Sequence, residues 1–241
     1  MGIAGNLAAV RARIEEACGA ADRNPSEVRL LPVSKTKPPG AIREAYDAGI
    51  RLFGENKVQE AVAKAELFAD VPDLQWAVIG HLQTNKAKQA AAVAAEFHAL
   101  DSLKVAEALS KRLHDLDRVL DVFVQVNSSG EESKFGLAPE DVPAFGRTLE
   151  RFPALRVRGL MTLAVFSDDA DLVGRCFARM RDLQARLQDT DAHPDRWREL
   201  SMGMSGDYEL AISYGATTVR VGQAIFGDRL DPNDYWPVSR R

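Results

Sequence analysis

Short apolar runs recur along the chain, and between them lie longer stretches in which apolar residues return every third or fourth position. The runs predict strands near 28–34, 51–54, 74–80, 96–100, 119–126, 155–161, 198–202 and 217–221. The intervening spacing predicts helices at 39–48, 57–69, 84–95, 102–114, 139–151, 169–188 and 206–213, after a first amphipathic helix near 7–18. Local signals agree with these limits. Ser102 stands where a helix N-cap belongs, ahead of an apolar stripe of Leu103, Ala106 and Leu109, and Gly49 stops the helix that ends at Ala48.

Strands that alternate with helices in this way form βα units and a parallel sheet. About eight strands in about 250 residues is the size of an α/β protein of the (β/α)8, TIM-type barrel class. A doubly wound open sheet is the alternative, but the first strand lacks the Gly-x-Gly-x-x-Gly turn of a dinucleotide site. No Pro- or Gly-rich linker interrupts the pattern. The expectation is one domain over 1–241, with an extra N-terminal helix in 1–21 and a tail from 228 to 241.

Composition narrows the function classes. Hydrophobic residues make up 46% and charged residues 27% of the chain, and 31 Lys and Arg against 35 Asp and Glu leave a formal net charge of -4. That balance argues against a general nucleic-acid-binding surface. No run reaches the roughly 18 apolar residues of a membrane span. Arg11, Arg13, Glu15 and Glu16 break the apolar core that a signal peptide needs. Cys18 and Cys176 are far apart and belong to no Cys-x-x-Cys pattern, which fits a reducing cytoplasm. His81, His98, His114 and His193 show no metal-ligand spacing.

Candidate chemistry collects at strand ends. The first strand delivers Lys35 to its C-terminal end and breaks at Pro38-Pro39. Alternation puts Leu31, Val33 and Lys35 on one face, so the amine stands above an apolar layer. Desolvation there favours the neutral amine that forms a Schiff base with an aldehyde; a solvated lysine at a strand end is the competing reading. The loop Ser201-Met202-Gly203-Met204-Ser205-Gly206-Asp207 leaves the seventh strand, and Gly222-Gln223 leaves the eighth. Two neighbouring strand ends of this kind converge on an anion-sized site, the usual phosphate position of such barrels; a strand-to-helix turn with an N-cap serine is the competing reading of either loop. Parity sets Thr218, Arg220 and Gly222 on one face and Val219 with Val221 on the other. An inward Arg220 needs acceptors, either barrel carboxylates or a ligand atom. Asn56, His81, Asn127 and Met161 also stand at strand ends.

With these motifs in order, the chain resembles the YggS/PROSC family of pyridoxal-phosphate-binding proteins. The resemblance runs through Val33-Ser34-Lys35-Thr36-Lys37, Phe53-Gly54-Glu55-Asn56, Gln59-Glu60, Ile79 to Lys86, Ser133-Lys134-Phe135-Gly136, Gly159-Leu160-Met161, Ser201 to Asp207 and Arg220 to Gly227. It departs at Lys57, where the family commonly has an aromatic, and over the tail. The resemblance implies the barrel shared with the N-terminal domain of alanine racemase and pyridoxal 5′-phosphate held by Lys35 as an internal aldimine. It implies phosphate contacts from Ser205, Gly222 and Gln223, Arg220 facing the pyridine nitrogen, and Asn56, Met202 and His81 near the ring.

Such an arginine keeps the ring nitrogen unprotonated and makes the cofactor a poor electron sink. Racemases of this barrel type add a C-terminal domain that supplies a second acid or base, and only about 20 residues follow the eighth strand here, too few for a domain. The expectation is a cytoplasmic, monomeric carrier in pyridoxal phosphate homeostasis, with apoenzymes dependent on that cofactor as recipients. The alternatives are a weak pyridoxal-phosphate-dependent racemase or lyase, and a Schiff-base aldolase without cofactor.

Overall fold

The computed structural model describes residues 2–228. Eight parallel strands follow one another around a single sheet: β1 (Arg29–Pro32), β2 (Leu52–Glu55), β3 (Gln75–Val78), β4 (Ala94–Leu100), β5 (Leu120–Gln125), β6 (Leu155–Met161), β7 (Glu199–Ser201) and β8 (Thr218–Val221). The order is β1-β8-β7-β6-β5-β4-β3-β2. The remaining gap between β1 and β2 is spanned by a single parallel bridge, Val33 to Gly54, and by Ser34 N donating to Gly54 O at 3.1 Å. The sheet is therefore a nearly closed TIM-type barrel.

The outer ring is formed by α2 (Pro39–Asp47), α3 (Val58–Leu67), α4 (Ala87–Val93), α5 (Leu103–Asp115), α6 (Val142–Leu149), α7 (Ala170–Thr190), α8 (Tyr208–Ser213) and α9 (Gln223–Phe226). Each longer helix buries one stripe at helical spacing, as α5 does with Val105, Ala106, Leu109 and Leu113, and α7 with Val173, Phe177, Met180, Leu183 and Leu187. The extra helix α1 (Ile3–Ala20) turns Leu7, Val10, Ile14 and Cys18 inward and packs on α2, α8 and α9. It outruns the expected 7–18 because its first turn carries small and polar residues that leave no apolar period to read.

Other boundaries moved for identifiable reasons. The helix expected over 84–95 begins with a 3-10 turn, Thr84–Lys86, and gives way to strand at Ala94. Alanine favours helix, yet pairing of Ala94 with Trp76 on β3 outweighs that preference. The helices expected at 139–151 and 206–213 shorten to α6 and α8. The strand expected over 28–34 ends at Pro32, leaving Val33 as the isolated bridge residue and Lys35 in a turn, so strand alternation does not set the direction of its side chain. Leu31 and Val33 are buried as expected. The tail from 229 onward is outside the described residues.

Candidate functional site

The β1–β8 pairing brings the first and last strands side by side, and with them the Lys35 end of β1 and the Gly222 turn after β8. Leu31 stands opposite Arg220 and Pro32 opposite Val221, and Val33 N donates to Val221 O at 2.9 Å. Gly222 follows at once. A Cβ there would sit 3.2 Å from Val33 O, so the glycine lets the β8 turn pass close to the strand that leads into Lys35. Gly222 N in turn donates to Ser205 Oγ at 3.3 Å. Ser205 comes from the turn after β7, where Gly203 adopts φ +93, a left-handed conformation that other residues take at a steric penalty. Ser205, Gly222 and Val33, two residues before Lys35, thus meet at the C-terminal rim, from strand ends that are neighbours in the barrel.

Arg220 points into the barrel, as its parity requires. It is 3% exposed, and its guanidinium donates to Ser201 Oγ and to Thr162 O, both at 2.7 Å. Both acceptors are neutral. The carboxylate acceptors considered from sequence are not among these contacts, and burial, opposed by the more distant charge of Asp207, lowers the guanidinium only to about 10. It stays charged at neutral pH.

Ser201 connects Arg220 to a polar chain that the sequence reading missed. Its hydroxyl is 3.0 Å from His98 Nδ1, and His98 Nε2 is 2.8 Å from Glu96 Oε2. Arg29, at the opposite end of the barrel, donates to Glu96 Oε2 at 2.9 Å. A carboxylate only accepts, so His98 Nε2 carries the hydrogen and Nδ1 of the neutral ring accepts from Ser201. Burial depresses the His98 pKa against the pull of Glu96. Burial opposes the charge on Glu96 as well, but hydrogen bonds from His98 and Arg29 outweigh it and bring the carboxyl down to about 2. The signal was present in β4, where Glu96 and His98 share one face of an otherwise apolar strand; a search for metal spacing passes over it.

The remaining expected residues spread over the same rim. Met202 is fully buried past β7, its N donating to Thr218 O at 3.1 Å. Gln223 opens α9, and its Nε2 donates to Asp228 Oδ1 at 2.8 Å. Asn56 is exposed after β2, with its carbonyl so close to Gly80 that a Cβ on Gly80 would lie 2.2 Å away. His81 stacks on Phe135 with centroids 4.0 Å apart, and its Nδ1 is 3.4 Å from Asp101 Oδ2. Lys37 is buried and donates to the carbonyls of Phe226 and Gly227, each at 3.0 Å, which ties the Lys35 turn to the end of α9. No cluster of three or more possible metal ligands occurs among the described residues, and no helix among them is long and apolar enough to cross a membrane.

A parallel barrel with a lysine turn beside the loops after β7 and β8 is the architecture of alanine-racemase-type domains, and the family model for the alanine racemase N-terminal domain matches residues 5–230. The pyridoxal phosphate homeostasis protein of Pseudomonas aeruginosa is 48% identical over 227 residues, covering 94% of this chain and 96% of its own. The protein of that name from Escherichia coli K12 is 41% identical over 229 residues, with coverage of 94% and 97%. The chain belongs to the family of pyridoxal phosphate homeostasis proteins. PipY of Synechococcus elongatus, solved with pyridoxal phosphate bound, matches with a TM-score of 0.83 at 40% identity, over 93% of this chain and 100% of its own. Alanine racemase of Streptomyces coelicolor, at 18% identity and a TM-score of 0.70, shares the fold; this chain spans 62% of that longer protein.

Proposed function

We propose that the chain binds pyridoxal 5′-phosphate, with the Lys35 amine joined to its aldehyde as a Schiff base and water as the leaving product, and serves as a carrier in cofactor homeostasis. The observation that carries this reading is the 3.3 Å approach of Gly222 N to Ser205 Oγ beside Val33 and the Lys35 turn. These are two donor-capable groups of small residues, where a phosphate is accommodated, beside the strand end that leads into the Lys35 turn. Bound pyridoxal phosphate supplies a reactive aldehyde and an electron-withdrawing ring. Ser205, Gly222 and Gln223 hold the phosphate. Asn56, Met202 and His81 border the ring.

Arg220 supports a carrier over a catalyst. Its neutral partners Ser201 and Thr162 fix the guanidinium in place, and it keeps its protons at neutral pH, so it donates to the ring nitrogen and leaves it uncharged. Two buried free cysteines suit a reducing cytoplasm. We take the protein to act as a monomer that passes its cofactor to dependent apoenzymes.

The test joins spectroscopy to trapping. Protein incubated with pyridoxal phosphate develops a Schiff-base absorbance band, and borohydride followed by peptide mapping places the phosphopyridoxyl group on Lys35. A label found mainly on Lys37 or Lys134 overturns the assignment, and no band at all turns the reading toward the cofactor-free aldolase. Deuterium exchange at the α-carbon of added amino acids stays far below ~1 per second, the lower end of ordinary enzyme turnover; exchange within that range makes the protein an enzyme.

A further inference from the structure

The Lys35 turn is bracketed by a buried charge cluster that takes no part in the phosphate contacts or in holding Arg220. Lys64, on α3, has a fully buried side chain. Its ammonium donates to Ser34 O at 2.7 Å, to Glu55 Oε1 at 2.5 Å and to Glu60 Oε1 at 2.8 Å. Glu60 Oε1 also accepts from Thr36 N at 2.6 Å, and Ser34 Oγ donates to Glu55 Oε1 at 2.6 Å. Ser34 and Thr36 are the residues on either side of Lys35. One ion cluster therefore grips the backbone immediately before and immediately after that lysine.

Packing alone gives no reason for this arrangement. Burying a lysine with two glutamates carries a desolvation penalty that apolar side chains of the same volume avoid. Glu55 Oε2 and Thr36 Oγ1 are buried without a hydrogen-bond partner. Thr36 also takes φ +61, where a β-branched residue is strained and stays only if its surroundings hold it. Charge buried at a stability penalty, against a strained turn that presents one amine, is what preorganisation of that amine requires.

We propose that Lys64, Glu60 and Glu55 are positioning residues, a clamp that holds the backbone on both sides of Lys35 so that its amine meets the cofactor aldehyde. The inference rests on the reading of Lys35 as the carrier lysine. It separates two parts of binding: the clamp governs covalent attachment, and the Ser205 and Gly222 loops govern attraction of the phosphate.

The experiment uses two ligands, pyridoxal 5′-phosphate and 4-deoxypyridoxine 5′-phosphate, which has the same ring and phosphate without the aldehyde. Glu60→Ala weakens pyridoxal phosphate about tenfold or more and slows borohydride-trappable attachment at Lys35, as expected when an attacking group loses its orientation. The deoxy analogue keeps its wild-type affinity. Glu60→Gln, which retains an oxygen for Thr36 N, restores most of the loss. Lys64→Met gives the same split and carries the test if Glu60→Ala does not fold. Equal weakening of both ligands, or no weakening of either, overturns the clamp. Wild-type label on another lysine overturns the Lys35 reading and the clamp with it, whereas label on Lys35 with unimpaired variants overturns the clamp alone.

Discussion

Ser205 shows how much one side chain can decide. Its Oγ already accepts from Gly222 N at 3.3 Å, so the hydroxyl has an internal partner and can turn its hydrogen toward an anion. Losing a hydrogen bond to a charged group costs about 1.5–3 kcal/mol, or roughly ten- to a hundredfold in affinity. Ser205→Ala weakens pyridoxal phosphate by that factor in a titration and leaves unphosphorylated pyridoxal nearly untouched; equal effects on both would reduce the loop to a strand-to-helix turn. Several residues of the candidate site were proposed from the sequence one at a time. Lys35, Ser205 and Gly222 stand at breaks in the apolar pattern, and the inward direction of Arg220 followed from strand parity. Its partners did not. Ser201 and Thr162 are 19 and 58 residues from Arg220, and nothing local says which hydroxyl or carbonyl will meet the guanidinium.

The elements themselves were largely readable, because a strand or helix buried on one side repeats its apolar residues at its own period. The misreadings lie where a neighbour overrides that period, as at Ala94, which pairs with β3 despite a helical sequence, and at Lys35, which a turn takes out of the strand. The β6–β7 pair shows how tightly such neighbours fit. Gly159 faces Glu199 in the register, and a Cβ on it would lie 1.8 Å from Glu199 O. The obstacle is backbone, which cannot rotate away, so Gly159→Ala forces the two strands apart. The expected loss is about 3 kcal/mol or more, the upper range for overpacking, measured by urea unfolding. A change within about 0.5 kcal/mol, the size of a surface substitution, would mean that the ladder yields freely at this point.

Across the whole molecule, buried charges make stability depend on pH in opposing directions. Burial, against the pull of Lys64, pushes Glu55 up to about 7 from an ordinary 4.5. The folded state then holds a proton that the unfolded chain has released, so this group removes stability as pH rises from 4.5 through 7, on the order of 3 kcal/mol in total. Glu96, held down to about 2, acts in the other sense: its contribution is present above 4.5 and is lost as pH falls toward 2. His98, with a depressed pKa, also withdraws stability as pH falls below 6.5, where the unfolded chain takes a proton that the buried ring refuses. Glu55→Gln therefore gains on the wild type between pH 5 and pH 8 by about 3 kcal/mol in chemical unfolding, and a difference constant over that range would contradict the assignment. Local periodicity by itself determined the number and order of the strands and which strand ends carry polar groups, because burying one face of an element leaves its mark on consecutive residues; the short α9 after β8 left no such mark. Only the nearly closed barrel decided that Arg29 meets Glu96 across 67 residues and that Lys64 reaches Ser34 across 30. Those meetings depend on register and closure, which hydrogen bonding between distant strands sets, and a low-dielectric interior then makes each of them count.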